Sequence, residues 1–289
     1  MARTTPVTGY VGAMEQPLGV VHSLVYYPVK GCAGTSVTRH RVTATGLVGD
    51  RSFMLVDSDG VFLSQRKVAA MATVRPTLAD DGGRLTLAAP GTSEFVLEPT
   101  TDGPRRAVSV FTWHGVGVDQ GDDVAAWASD VLGQPCRLVR VPPEHDRDTS
   151  GETPGKTGFA DGHALLIASQ ASLDELNERI VARGAAPVPV NRFRPNVVVA
   201  GWTVPRTEDR VREMTVGDVT LGYAKVCIRC AVPTVDQATG RKAGPEPIRT
   251  LADYRREPDG GVSFGMKAAV LQPGEIAVGD KIDVHRWAH

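Results

Sequence analysis

The 289-residue chain is sparing in the features that mark several protein classes. It has four cysteines, too few and too scattered for a disulfide framework. Its net charge of −1 argues against a general nucleic-acid binder or an anionic-membrane binder, and leaves room for a local basic pocket. No apolar run approaches the roughly 18 residues that a membrane-spanning helix needs. The opening "MARTTPVTGYVGAMEQP" has no apolar signal-peptide core. Residues 1–18 are therefore expected to be a disordered leader, and a reducing cytoplasm is the expected location. No internal repeat of a solenoid or propeller is visible.

The chain is mostly short extended runs between turn signals. "VVHSLVYYPVKG" is rich in β-branched and aromatic residues. "RSFMLVDSDGVFLSQR" reads as a hairpin about Asp59-Gly60, "GRLTLAAPGTSEFVLEP" as one about Pro90-Gly91, and "REMTVGDVTLGYAKV" as one about Gly217-Asp218. "GEIAVGDKIDVHR" reads as another about Gly279-Asp280. "AVSVFTWHGVGVDQ", "CRLVRVP" and "NVVVAG" add strands. Such spacing predicts an α+β, β-dominated fold of closed or partly closed barrels.

Helical periodicity is confined to a few segments. "SLDELNERIVARG" suggests a capping box of Ser172 and Glu175 with Gly184 as the stop. "DDVAAWASDVLG" and "PIRTLADYRR" are the others. The polar stretch "PPEHDRDTSGETPGKTG" divides the chain into an N-terminal module, residues 19–145, and a C-terminal module, residues 150–289. Its "GETPGKT" imitates a phosphate-binding loop, but Gly151 and Gly155 enclose three residues where that motif needs four.

The chemistry-bearing stretch is "VCIRCAVPTVDQATGRK", residues 226–242. Cys227 and Cys230 form a C-x-x-C pair without a second pair or a histidine pair to complete a zinc site. The segment after Cys230 is a poor helix start, unlike a redox dithiol. Two packed cysteines remain an open reading. So does a single thiolate: Arg229, Arg241 and Lys242 are cations that favour that form, and one soft ligand suits a metal whose other ligands come from a cofactor.

"CIRCAVPTVDQATG" together with "EIAVGDKIDV" resembles the MOSC domain, and "LVYYPVKGCAGTSVTRHRVTATGLVGDRSFMLVDSDGVFLSQRK" resembles the MOSC N-terminal β-barrel module. "SQASLDELN" and "NRFRPNVVVAG" also fit that pattern. The resemblance covers nearly everything after residue 18 and implies a MOSC-type barrel packed with the N-terminal barrel. It implies a molybdenum cofactor, a molybdopterin holding Mo, with Cys230 as the metal ligand and Cys227 not a ligand. The implied reaction is reduction of N-hydroxylated small molecules, with electrons from an external ferredoxin- or cytochrome b5-like donor. Neither an iron–sulfur domain nor a membrane anchor is expected within the chain. Pyridoxal phosphate binding is a further association of the resemblance. The alternative is a non-redox member that uses Cys230 as a persulfide or cofactor carrier.

A pterin phosphate needs cations and backbone donors. Lys30 with Gly31 and Cys32, Arg51, Arg66, Arg192, Arg194 and Arg229 are the candidates, and Asn191 and Asn196 are candidates for reading the pterin amides. Asp161 and His163 are catalytic candidates beside Cys230, His163 as a proton donor. Asp236 is expected to order its own turn. Where the resembled pattern often has hydroxyl residues, this chain has Gly31, Gly162 and His163.

Overall fold

The computed structural model describes residues 18–288. Apart from Leu18, the expected leader lies outside the described residues. The fold is β-dominated with few, short helices, as the strand-and-turn pattern predicts.

An eight-stranded sheet carries the larger core. Its strands run in the order Val197–Ala200, Leu165–Ser169, Val262–Gln272, Val219–Arg229, Val211–Val216, Lys281–Trp287, Gly19–Tyr26 and Thr35–Val37. Pairing of Gly19–Tyr26 with Val197–Ala200 closes the sheet on itself. The first described strand is thus a stave of a barrel built mainly from the C-terminal half. One neighbouring pair, Leu165–Ser169 with Val197–Ala200, is parallel. A parallel pair needs a crossover, and the helix Gln170–Ala182 lies in that connection.

The N-terminal region has a five-stranded sheet, from Arg105–Val110 through Trp113–Asp119, Arg137–Arg140 and Phe53–Val56 to Val29–Lys30. A three-stranded sheet of Arg75–Leu78, Leu85–Ala88 and Phe95–Leu97 joins it. Phe53, Leu55, Met71, Leu85 and Leu138 share one core there with Val124 and Ala128 of the helix Asp122–Leu132.

Two local expectations are corrected. Gly279-Asp280 does not turn a hairpin: Gly274–Ala277 pairs with Arg39–Thr43, whereas Lys281–Trp287 pairs within the barrel. The turn is captured from outside, because Val278 N donates to Thr38 O and Gly279 N to Val21 O. The helix expected to start at Ser172 starts at Gln170, capped by Ser169, whose side chain accepts from Ser172 N. The buried Glu208 accepts from Ser169 N and Oγ, the place foreseen for Glu175.

Candidate active site

Strand ends and turns from both regions converge on one open cavity of about 140 Å³. Lys30 ends the strand Val29–Lys30. Arg51 and Arg194 sit in tight turns with φ of 44° and 57°, a conformation that a non-glycine residue adopts at some cost. Asp161 and His163 precede the strand Leu165–Ser169, and Cys230 follows the end of Val219–Arg229. All of these residues line the cavity, as do Gly31, Arg66, Asn196, Cys227 and Arg229.

The walls are braced by buried ion pairs. Asp50 accepts from Tyr27 N at 2.7 Å, from Asn196 Nδ2 at 3.1 Å and from Arg51 Nη1 at 2.5 Å. Asn196 also donates to Val25 O and accepts from Arg51 Nη1 and Leu166 N. Its amide is therefore engaged with the protein, which makes Asn196 a brace for Arg51 and not a free amide reader. The guanidinium groups of Arg51 and Arg194 each lie 4.3 Å from the centre of the Tyr27 ring. Arg194 donates to Gln237 Oε1 at 3.3 Å, but among the described residues its buried Nη2 has no partner.

Lys30 is buried and paired with Asp161, whose side chain is 55% exposed. Burial pulls the Lys30 ammonium down, and the Asp161 carboxylate offsets part of that. Partial desolvation by the cavity walls opposes the charge on Asp161, but the Lys30 ammonium outweighs it and holds the carboxyl well below the usual range. The exposed part of Asp161 borders the cavity, so its carboxylate faces that space.

His163 does not fit the role of proton donor. Its Nε2 lies 2.9 Å from Ser150 O, an atom that can only accept, so the ring proton sits on Nε2. Burial, followed by the neighbouring cations, pushes the imidazole down to about 4. The ring is neutral near pH 7, and Nδ1 has no partner among the described residues.

Three expected site residues lie elsewhere. Cys32 is fully buried in the N-terminal core, and burial pushes its thiol up to about 12. Asn191 lines a neighbouring pocket on the far side of Arg194. Arg192 donates to Pro233 O at 3.1 Å and to Asp236 at 3.2 Å, bracing the loop after Cys230. Asp236 does order its own turn, accepting from Ala238 N and Thr239 N. Arg241 and Lys242 are exposed on a small ribbon and do not line the cavity.

Sequence reasoning missed two cations. Lys267 lines the cavity from the strand Val262–Gln272. Arg147 donates to the carbonyls of Gly158, Ala160 and Asp161 and so clamps the Asp161 loop. Neither lies in a stretch with a local signature, because each is brought to the site by tertiary contacts. Among the described residues, Lys30, Arg51, Arg66, Arg194, Arg229 and Lys267 face a single lining carboxylate, Asp161, so the cavity favours anions.

The MOSC N-terminal beta barrel domain model matches residues 18–135, and the MOSC domain model matches residues 154–283. Mitochondrial amidoxime-reducing component 1 of Mus musculus is 34% identical, over 92% of this chain and 82% of its own length. The Homo sapiens protein of that name is 34% identical, over 92% and 83%. Molybdenum cofactor sulfurase of Oryza sativa subsp. japonica is 31% identical over 84% of this chain, which spans 32% of that protein. The amidoxime-reducing relatives are mitochondrial by name, which overturns the cytoplasmic expectation. Pyridoxal phosphate finds no support in these relationships. They do support an oxidoreductase role linked to the molybdenum cofactor. The chain belongs to the MOSC family, among the members that join the MOSC domain to an N-terminal β-barrel and that include the amidoxime-reducing components.

Proposed function

We propose that the protein is a molybdenum-cofactor-dependent reductase of N-hydroxylated small molecules, supplied with electrons by a separate ferredoxin- or cytochrome b5-like protein. The observation that carries this reading is the pairing of Cys230 with the orphaned Arg194 Nη2 in one cation-lined cavity. Among the described residues no cluster of three or more His, Cys, Asp or Glu side chains can hold a metal. A lone thiolate suits a metal whose remaining soft ligands arrive with a cofactor. An unpartnered buried guanidinium N–H suits that cofactor's phosphate.

In this reading Cys230 is the protein's metal ligand, Arg51 and Arg194 bind the phosphate, and Lys30 contributes positive charge beside them. When bound, the molybdenum centre supplies the two-electron exchange. Reduction of an N–OH group consumes two electrons and two protons, breaks the N–O bond and yields an N–H group and water. Lys30 holds a proton on Nζ against Asp161 at the cavity wall, and Asp161 orients it. His163 offers an acceptor and not a proton. The stacked Tyr27 and its two guanidinium neighbours exclude water behind the site.

The test is elemental analysis of protein made in a molybdenum-replete host, paired with reduction of benzamidoxime by an artificial electron donor. Molybdenum near stoichiometry together with amidine formation supports the reading. Absence of both refutes it. The kinship with a molybdenum cofactor sulfurase favours a second reading, Cys230 as a sulfur carrier. That reading expects cyanide-releasable sulfur on Cys230 without molybdenum.

A further inference from the structure

Phe111 violates two preferences at once. It occupies the first position of the two-residue turn between Arg105–Val110 and Trp113–Asp119, whose last ladder pair is Val110 with Trp113. Its φ is 55°, and Thr112 beside it has no positive φ, the pattern of a hairpin turn whose first position prefers Gly and where a bulky side chain is an outlier. Its ring is also left in solvent, the residue being 48% exposed. A glycine there would relieve the backbone and remove exposed apolar surface.

The ring lies on the cavity that Cys230 lines. It meets Phe62 edge-on, with ring centres 4.9 Å apart at 61°. Arg66 stands 5.0 Å from the centre of Phe111 and 5.7 Å from that of Phe62, and Lys30 Nζ stands 4.9 Å from Phe62. The cations already hold positions over these rings, so a cationic guest meets repulsion, while a neutral ring finds edge and face partners. Retaining an exposed aromatic on a strained turn at a site mouth points to ligand contact.

We propose that Phe111 and Phe62 form an aromatic lip that binds the neutral ring of aryl-bearing substrates, with Phe111 as the specificity-determining contact. The inference rests on the reductase reading for the reaction and on the lip's geometry for the ring. The lip belongs to the N-terminal region, whereas Cys230 belongs to the barrel. Substrate choice and reaction centre are therefore carried by different parts of the fold.

The test is Phe111→Gly, which removes the ring and relieves the turn. The ratio of KM for benzamidoxime to KM for acetamidoxime should rise about fivefold, and the thermal midpoint should stay level or rise. Calorimetry with benzamide and acetamide, which carry no N–O bond, reads the lip without turnover: wild type should prefer benzamide and Phe111→Gly should lose that preference. An unchanged KM ratio, a fallen midpoint, or a wild type that binds both amides alike overturns the proposal. A protein that prefers benzamide yet reduces neither amidoxime retains the lip and loses the reductase reading.

Discussion

Arg229 donates to Cys227 Sγ at 2.9 Å from one terminal nitrogen and to Phe193 O at 2.9 Å from the other. The guanidinium between the two cysteines thus serves the buried one. Among the described residues no side-chain donor reaches Cys230 Sγ, which is partly exposed at the cavity. The two thiols differ through this contact even though they share a motif. Cys230→Ser should lose bound molybdenum and activity. Cys227→Ser should keep molybdenum and lose about 1–2 kcal/mol of stability through a weakened charge-assisted bond. Metal analysis and denaturant melts of both variants check this; equal metal loss in the two would remove the distinction.

Asp50→Ala should be costly. It strips the carboxylate from a buried Arg51, leaves Tyr27 N without its acceptor and leaves Asn196 Nδ2 with Val25 O alone. Breaking one side of such a pair typically costs about 3–5 kcal/mol. The urea midpoint should fall with an unchanged slope, and a shift under about 1 kcal/mol would contradict the bracing role.

Gly31→Ser should fail to restore a hydroxyl contact. Gly31 has a φ of +84°, and a Cβ there would lie 2.7 Å from Met71 Cε. The left-handed backbone alone costs a side chain about 1–2 kcal/mol, before Met71 shifts. Thermal melting checks the loss, and a more stable serine variant would refute the steric argument.

Stability should depend on pH through His163. The folded ring has its pKa lowered from 6.5 to about 4, so between those values the unfolded chain binds a proton that the folded chain does not. The contribution is present above the upper value and disappears as pH falls toward the lower one, a loss of up to about 3 kcal/mol. His163→Asn should flatten the stability curve across that window. Parallel curves for wild type and variant would sink the assignment.

The sequence made the site easier to read than the topology. Lys30, Arg51 and Arg194 stand in short motifs at the ends of extended runs, and strand ends are where a barrel mouth collects side chains. Gly217-Asp218 turns a true hairpin because both arms pair with each other. Gly279-Asp280 has the same local chemistry, but Thr38 and Val21 take its backbone donors, and nothing nearby in sequence announces those partners. Ser172 and Glu175 imitate a capping box, while the true cap, Ser169, is buttressed by Glu208, 39 positions away. Lys267 was illegible for the same reason, and Cys32 looked available only because burial is not written in its neighbours.

The strand Gly19–Tyr26 has a consequence for how the protein is made. It precedes almost every other described strand, yet its barrel neighbours are the much later Val197–Ala200 and Lys281–Trp287. The barrel cannot close until those later strands are made, so Gly19–Tyr26 must wait for them. Produced alone, the second half would carry a slot between those two strands, with both edges unpaired and open to pairing with other chains. Supplied in trans, a peptide spanning residues 18–27 would be a strand looking for that slot.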